Sequence, residues 1–160
     1  MEFAFSLTLP REALSIPLAR RILGSTMLDL GIDKRCVEDV EIVVTEACTN
    51  VLKHAEPDSA DYEVEVCITH ESADIKIKDR GPGFDQVSPS RARAMDPTEE
   101  GGRGILLMRA LVDRVEFLND PASGTIVHLT KKLVLANGSL LNHHGPTPAI
   151  APNLAAPKRK

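Results

Sequence analysis

Residues 41–55 read EIVVTEACTNVLKHA, and their spacing decides the fold. Counted from Val37, apolar side chains recur every three or four positions, at Val40, Val44, Ala47, Val51 and Ala55. That period draws one continuous stripe along a helix of about five turns. Asp33 stands ready as its N-cap, and Pro57 closes it. Off the stripe, Glu46, Asn50 and His54 fall at i, i+4 and i+8, so they share a second face. A carboxylate one turn from a carboxamide is a useful pair. The amide oxygen can ligate a hard cation such as Mg2+, and the carboxylate can accept a proton from a nucleophile. Glu and Asn alone also fit a solvated helix face. Asn inside a helix, however, competes with the backbone, so its position asks for a reason.

Upstream, residues 2–9 alternate as a strand, with Phe3, Phe5, Leu7 and Leu9 on one face, and Pro10 ends it. Residues 13–30 carry Leu14, Leu18, Ile22, Met27 and Leu30 at helical spacing, with Pro17 in the first turn and Gly31 as the stop. Downstream, 62–69 and 74–79 alternate as two strands around the short loop HESA. Residues 80–102 turn to Pro, Gly, Ser, Asp and Arg, the composition of a lid, here placed at 85–102. A helix is expected over 104–112 with Ile105, Met108, Leu111 and Val112 inward. Strands follow at 115–118 and 125–133, joined by NDPASG. The order β-α-α-β-β-lid-α-β-β predicts an α+β fold, a two-layer sandwich whose mixed, mostly antiparallel sheet carries helices on one face. Beyond Leu135 the chain becomes Pro-, Asn- and His-rich, so a domain of residues 1–135 and a disordered tail of 136–160 are expected.

Two glycine motifs follow the helix. In Asp79-Arg80-Gly81-Pro82-Gly83-Phe84 a carboxylate ends a strand, where it can accept a hydrogen bond from the exocyclic amine of adenine. Gly81 and Gly83 let the backbone approach a ligand closely. Gly101-Gly102-Arg103-Gly104 opens a helix whose free amides can cradle phosphate, with Arg103 adding a charge-assisted donor. Neither the P-loop pattern nor the dinucleotide fingerprint is present. Each motif alone is an ordinary glycine turn or helix start. All three in this order are hard to obtain by chance.

Composition sets the bounds. A chain of 160 residues suits one domain, and 42% hydrophobic with 26% charged residues is ordinary for a globular protein. With one Tyr and no Trp the core must be aliphatic, and base-stacking platforms are missing. A net charge of -4 gives no overall basic field for nucleic acid. Cys36, Cys48 and Cys67 have neither zinc-ligand nor disulfide spacing, so buried thiols in a reducing compartment are expected. The first residues are too short and too alternating for a signal peptide, and no apolar run nears the ~20 residues of a membrane span. A cytoplasmic location without membrane or direct nucleic-acid partners is expected.

The three motifs together resemble the GHKL ATPases, the group of gyrase, Hsp90, histidine kinases and MutL, with their Bergerat-type fold. EIVVTEACTNVLKHA looks like their N box, DRGPGF their first glycine box and EGGRGILLM their second. The short length and the form E-x-x-x-N-x-x-x-H-A are similar to the anti-sigma-factor serine kinases, over about residues 3–133. By position, the resemblance implies that Asn50 ligates Mg2+, Glu46 takes the proton of a serine hydroxyl, and His54 completes the nucleotide-binding helix face. Asp79 would bind the adenine of ATP, with Gly81 and Gly83 shaping its pocket and Thr125 supporting it. Gly102, Arg103 and Gly104 would meet the phosphates. Such proteins are dimers that sequester an RNA polymerase sigma factor. They release it to a STAS-domain anti-anti-sigma antagonist, which they phosphorylate on serine. Arg11, Arg20 and Arg21 are candidate anchors for those partners. The competing readings are a sigma-sequestering protein that holds ATP without phosphoryl transfer, and a histidine-kinase catalytic domain. The second is disfavoured because residues 1–12 already form a strand of the domain.

Overall fold

The computed structural model describes residues 1–54, 60–79, 102–120 and 124–142. The chain runs β1 (Phe3–Pro10), α1 (Ser15–Asp29), α2 (Lys34–His54), β2 (Asp61–Ile68), β3 (Ser72–Asp79), α3 (Gly102–Leu111), β4 (Arg114–Asp120) and β5 (Gly124–Lys132), with a 3-10 turn at Leu140–Asn142. The strands form one sheet in the order β1-β2-β3-β5-β4. Every neighbouring pair is antiparallel. The expected mixed sheet therefore resolves into an antiparallel one, for a topological reason. The crossover through α3 does make β3 and β4 run the same way, but β5 inserts between them and pairs with both.

Strand alternation sorts the sheet into two faces. Val64–Ile77–Val127 and Val66–Ile75–Leu129 line up across β2, β3 and β5 as aliphatic rows, each side chain at most 2% exposed. The opposite face carries Glu65–Lys76–His128–Glu116 across four strands, a row of polar and charged side chains. All three helices lie on the aliphatic side. The stripe of α2 is buried as its period requires, Val37, Val40, Val44, Ala47 and Val51 being at most 5% exposed, while Ala55 lies outside the described residues. Asp33 caps the helix, its Oδ1 accepting from the Arg35 amide at 2.9 Å.

The expected face of α1 is corrected in its first half, while Met27 and Leu30 are buried as expected. Leu14 is 82% and Leu18 48% exposed, and the buried line is Ser15, Ala19, Leu23 and Met27. Ala19 and Gly24 let α1 lie close on α2, and residues so small carry little weight in an apolar period. Ser15 Oγ donates to the Glu12 carbonyl, and so accepts from the Tyr62 hydroxyl at 2.7 Å. Cys48 joins the same hydroxyl, which links α1, α2 and β2 at one buried point. The three cysteines are free thiols.

The expected domain end at residue 135 falls short. Leu135 bridges Ile32, the Ala136 amide donates to Gly31, and Ser139 Oγ donates to the Leu30 carbonyl at 2.7 Å. Ser139 and Leu141 are 1% and 0% exposed. Gly31 makes this clasp possible. Its φ of 80° suits glycine, and a Cβ there would lie 2.6 Å from Ser139 Cα. One buried leucine and one buried serine in a polar stretch are too few to show as a period. Residues 143–160, and the lid apart from Gly102, lie outside the described residues. No helix among the described residues is long and apolar enough to cross a membrane.

Truncation after Leu135 should therefore cost about 3 kcal/mol, chiefly from the lost Leu141, and lower Tm by about 10 °C, whereas truncation after Asn142 should leave Tm unchanged. Calorimetry of both forms checks this. Alkaline pH should act at the Cys48–Tyr62 junction. Burial pushes Cys48 from 9.0 and Tyr62 from 10.0 up to about 12 each. Both charge only by losing a proton, so their contribution is complete below pH 9 and lost as pH rises toward 12. Denaturant midpoints should hold to pH 9 and fall above it, with a smaller fall in Cys48→Ala.

Candidate functional site

Helix α2 packs against α1, α3, β3 and β5, so its polar face also meets protein. Asn50 is 8% exposed, which rules out a solvated helix face. Its Nδ2 is buried and has no hydrogen-bond partner among the described residues. An orphaned amide of this kind costs about 1–3 kcal/mol. A fold keeps such a group when a partner beyond the described residues completes it. One turn earlier, Glu46 is half-buried and its carboxylate reaches the first turn of α3: Oε2 lies 2.8 Å from where a Cβ on Gly104 would stand. The proton acceptor expected on α2 and the glycine-rich start of α3 thus meet, although 58 positions separate them along the chain.

The strand-end acid is also where the sequence puts it. Asp79 closes β3 at 4% exposure on the aliphatic, helix-bearing side, in phase with Ile75 and Ile77. The pair Lys78↔Ile126 is followed along the two antiparallel strands by Asp79 and Thr125, so the half-buried Thr125 continues the register beside Asp79. A buried carboxylate at a sheet end, with a hydroxyl alongside, suits recognition of an exocyclic amine. Arg103 is exposed at the start of α3 and Gly102 begins that helix. Gly81, Gly83 and the side chain of His54 lie outside the described residues.

Beside Glu46 opens a groove of about 710 Å3 between α1 and α2, lined by Arg20, Arg21, Glu38, Glu41, Ile42, Thr45 and Glu46. Glu38, Ile42, Glu46 and Asn50 step by four, so one strip of α2 runs from the groove to the orphaned amide. Arg20 and Arg21 are exposed on its α1 wall. Arg11 differs: its Nη2 donates to the Leu52 carbonyl at 3.1 Å, which ties it to the end of α2.

One residue escaped the sequence reading. Lys131 donates to Asp39 Oδ2 at 2.8 Å and to the Leu111 carbonyl at 2.7 Å, fastening the C-terminal end of α3 to α2 and β5. The signal was present, since Lys131 is in phase with Val127 and Leu129 on the buried side of β5.

The histidine kinase-like ATPase domain family matches residues 9–131. The serine-protein kinase RsbW of Bacillus velezensis is 31% identical over 144 residues, spanning 84% of this chain and 87% of that protein. RsbW of Listeria monocytogenes is 30% identical, over 82% of this chain and 88% of its own. Among solved structures, the RsbU and RsbW domains of Rv1364c from Mycobacterium tuberculosis superpose with a TM-score of 0.62 at 16% identity, covering 84% of this chain and 34% of that one. That likeness is one of fold.

An orphaned buried amide leaves a mark on stability. Asn50→Leu, which removes the orphan and keeps roughly the side-chain size, should raise the stability of the ligand-free protein by about 1 kcal/mol. Chemical denaturation of both proteins measures it; a destabilised variant would show that the amide is satisfied internally.

Proposed function

This chain belongs to the histidine kinase-like ATPase domain family, and from that premise we propose that it is an anti-sigma factor that phosphorylates a STAS-domain antagonist on serine. Serine-protein kinase is the activity its relatives carry in their names, and the family is one of ATPase domains. The single observation that supports the reading best is the meeting of Glu46 with the first turn of α3, one helical turn from the unsatisfied Asn50.

Bound Mg-ATP would supply the phosphoryl group, and the donor set fits it. Asn50 offers the amide oxygen that a hard cation prefers. Asp79, with Thr125 beside it and Gly81 and Gly83 beyond, would hold the adenine. Gly102, Arg103 and Gly104 stand at the helix start where amides and a guanidinium favour phosphate, and His54 extends the nucleotide face of α2. Glu46 then accepts the proton of the attacking serine hydroxyl, which makes that oxygen a better nucleophile.

Arg20 and Arg21, on the groove wall next to Glu46, give both protein partners a shared landing surface. Two partners on one surface exclude each other, so a few kcal/mol of coupling to nucleotide state is enough to choose between them. A phosphate on the antagonist adds nearly two negative charges beside Glu38, Glu41 and Glu46, and repulsion favours its release. We assign the working form to a cytoplasmic homodimer.

Glu46→Gln keeps the size of the side chain and removes the base. Transfer of label from γ-labelled Mg-ATP to the antagonist should fall by ~10²–10⁴. ATP affinity should change by less than about tenfold, because binding needs no proton acceptor. Asp79→Asn should instead weaken ATP binding and its preference over GTP. A time course beside a calorimetric titration separates the two. Full transfer by Glu46→Gln removes Glu46 from the mechanism. Wild type that binds sigma factor and ATP yet labels no STAS-domain protein establishes sequestration alone.

A further inference from the structure

Glycine at position 104 is odd for a helix. It is the third residue of α3, where alanine would be favoured on backbone grounds alone. The missing side chain has a specific neighbour. A Cβ at Gly104 would stand 2.8 Å from Glu46 Oε2 and 3.8 Å from Glu46 Cδ, with no other described atom within 4 Å beyond its chain neighbours and its own helix backbone. Among the described residues the space is taken by that one carboxylate. Carbon and oxygen do not approach to 2.8 Å without a bond, so alanine would force a displacement. The atom displaced is the far end of a flexible side chain, so the fold could absorb the change and the carboxylate would carry all of it.

We propose that Gly104 is a positioning residue for Glu46: its bare Cα keeps open the seat of the carboxylate against the first turn of α3. The proposal rests on the reading of Glu46 as proton acceptor, and it changes what the glycine motif is for. Backbone amides of α3 can face phosphate whatever the side chain, whereas the Cβ direction of residue 104 points at Glu46. The helix start thereby serves two ends. Its amides face the nucleotide, and its missing methyl sets the base. Proton transfer is sensitive to placement, and a misplacement of about 1 Å can cost ~10²-fold in rate while leaving ground-state binding intact.

The test compares wild type, Gly104→Ala, Glu46→Gln and the double variant. Each is assayed in single turnover with γ-labelled Mg-ATP and a purified STAS-domain protein that the wild type labels. Gly104→Ala should melt at or above the wild-type temperature and bind ATP within about threefold, yet transfer label about 10–100-fold more slowly. In the Glu46→Gln background the same substitution should cost nothing further, because the group it displaces no longer acts. A readout free of activity comes from the nucleotide-free protein. The 13C carboxyl signal of Glu46 should move in Gly104→Ala and stay in place in Leu106→Ala, whose side chain on the same helix is 60% exposed.

Loss of ATP affinity in step with rate would overturn the proposal, since the added methyl would then act through the phosphates rather than through the carboxylate. Failure of Gly104→Ala to fold would also overturn it, because the steric demand at 104 would not be confined to one carboxylate. An unmoved carboxyl signal would do the same. If Glu46→Gln is fully active while the signal moves in Gly104→Ala, the proton-acceptor reading fails and the steric seat stands.

Discussion

The valine stripe of α2 rests on the aliphatic rows of β2, β3 and β5, and this contact fixes the direction of everything polar on that helix. Each buried Val or Ile contributes about 1.5–3 kcal/mol, so five successive contacts along the stripe hold the helix against rotation about its axis. Once that angle is set, Glu46 and Asn50 cannot turn to solvent. They are held against α3 and the groove beside α1 instead. The hydrophobic face is what makes the polar face precise, and a helix buried on one side only would leave both side chains free to hydrate.

The same contact explains what could be read without coordinates. Strands β2, β3 and β5 and helix α2 show strong periods because one face of each is almost wholly apolar, and their limits fall within two or three residues of those expected. Asn50 was legible as a poor helix former in a helix, and Asp79 as an acid at a strand end. Features built from small or isolated residues were not. Ala19 and Gly24 set the packed side of α1 with almost no apolar surface, while the conspicuous Leu14 and Leu18 face outward. Ser139 and Leu141 clasp the α1–α2 turn from inside a Pro- and Asn-rich stretch. The approach of Glu46 to Gly104 is a product of tertiary packing between α2 and α3, and no local pattern encodes it.

Helix α3 is anchored unevenly. Its C-terminal end is held by Lys131, which meets both Asp39 and the Leu111 carbonyl, and by Met108, fully buried. A cation on the last carbonyls also complements the helix dipole. Its N-terminal end carries three glycines in residues 101–104 and the exposed Arg103. A rod clamped at one end and glycine-rich at the other transmits little motion into the core. Movement at the helix start can therefore stay local to that turn, leaving the valine stripe in register.

The buried hydroxyl junction gives the molecule an optical property as well as a structural one. The chain has one tyrosine and no tryptophan, and that tyrosine, Tyr62, is 0% exposed and hydrogen-bonded to Ser15. Nearly all intrinsic ultraviolet emission therefore originates from a single ring at the crossing of α1, α2 and β2. Its brightness and the tyrosine bands of the near-ultraviolet dichroism report the integrity of that crossing. A tryptophan-bearing partner would be seen against a background dark at its own wavelengths, and energy passed from Tyr62 to it would measure how near to this junction it docks.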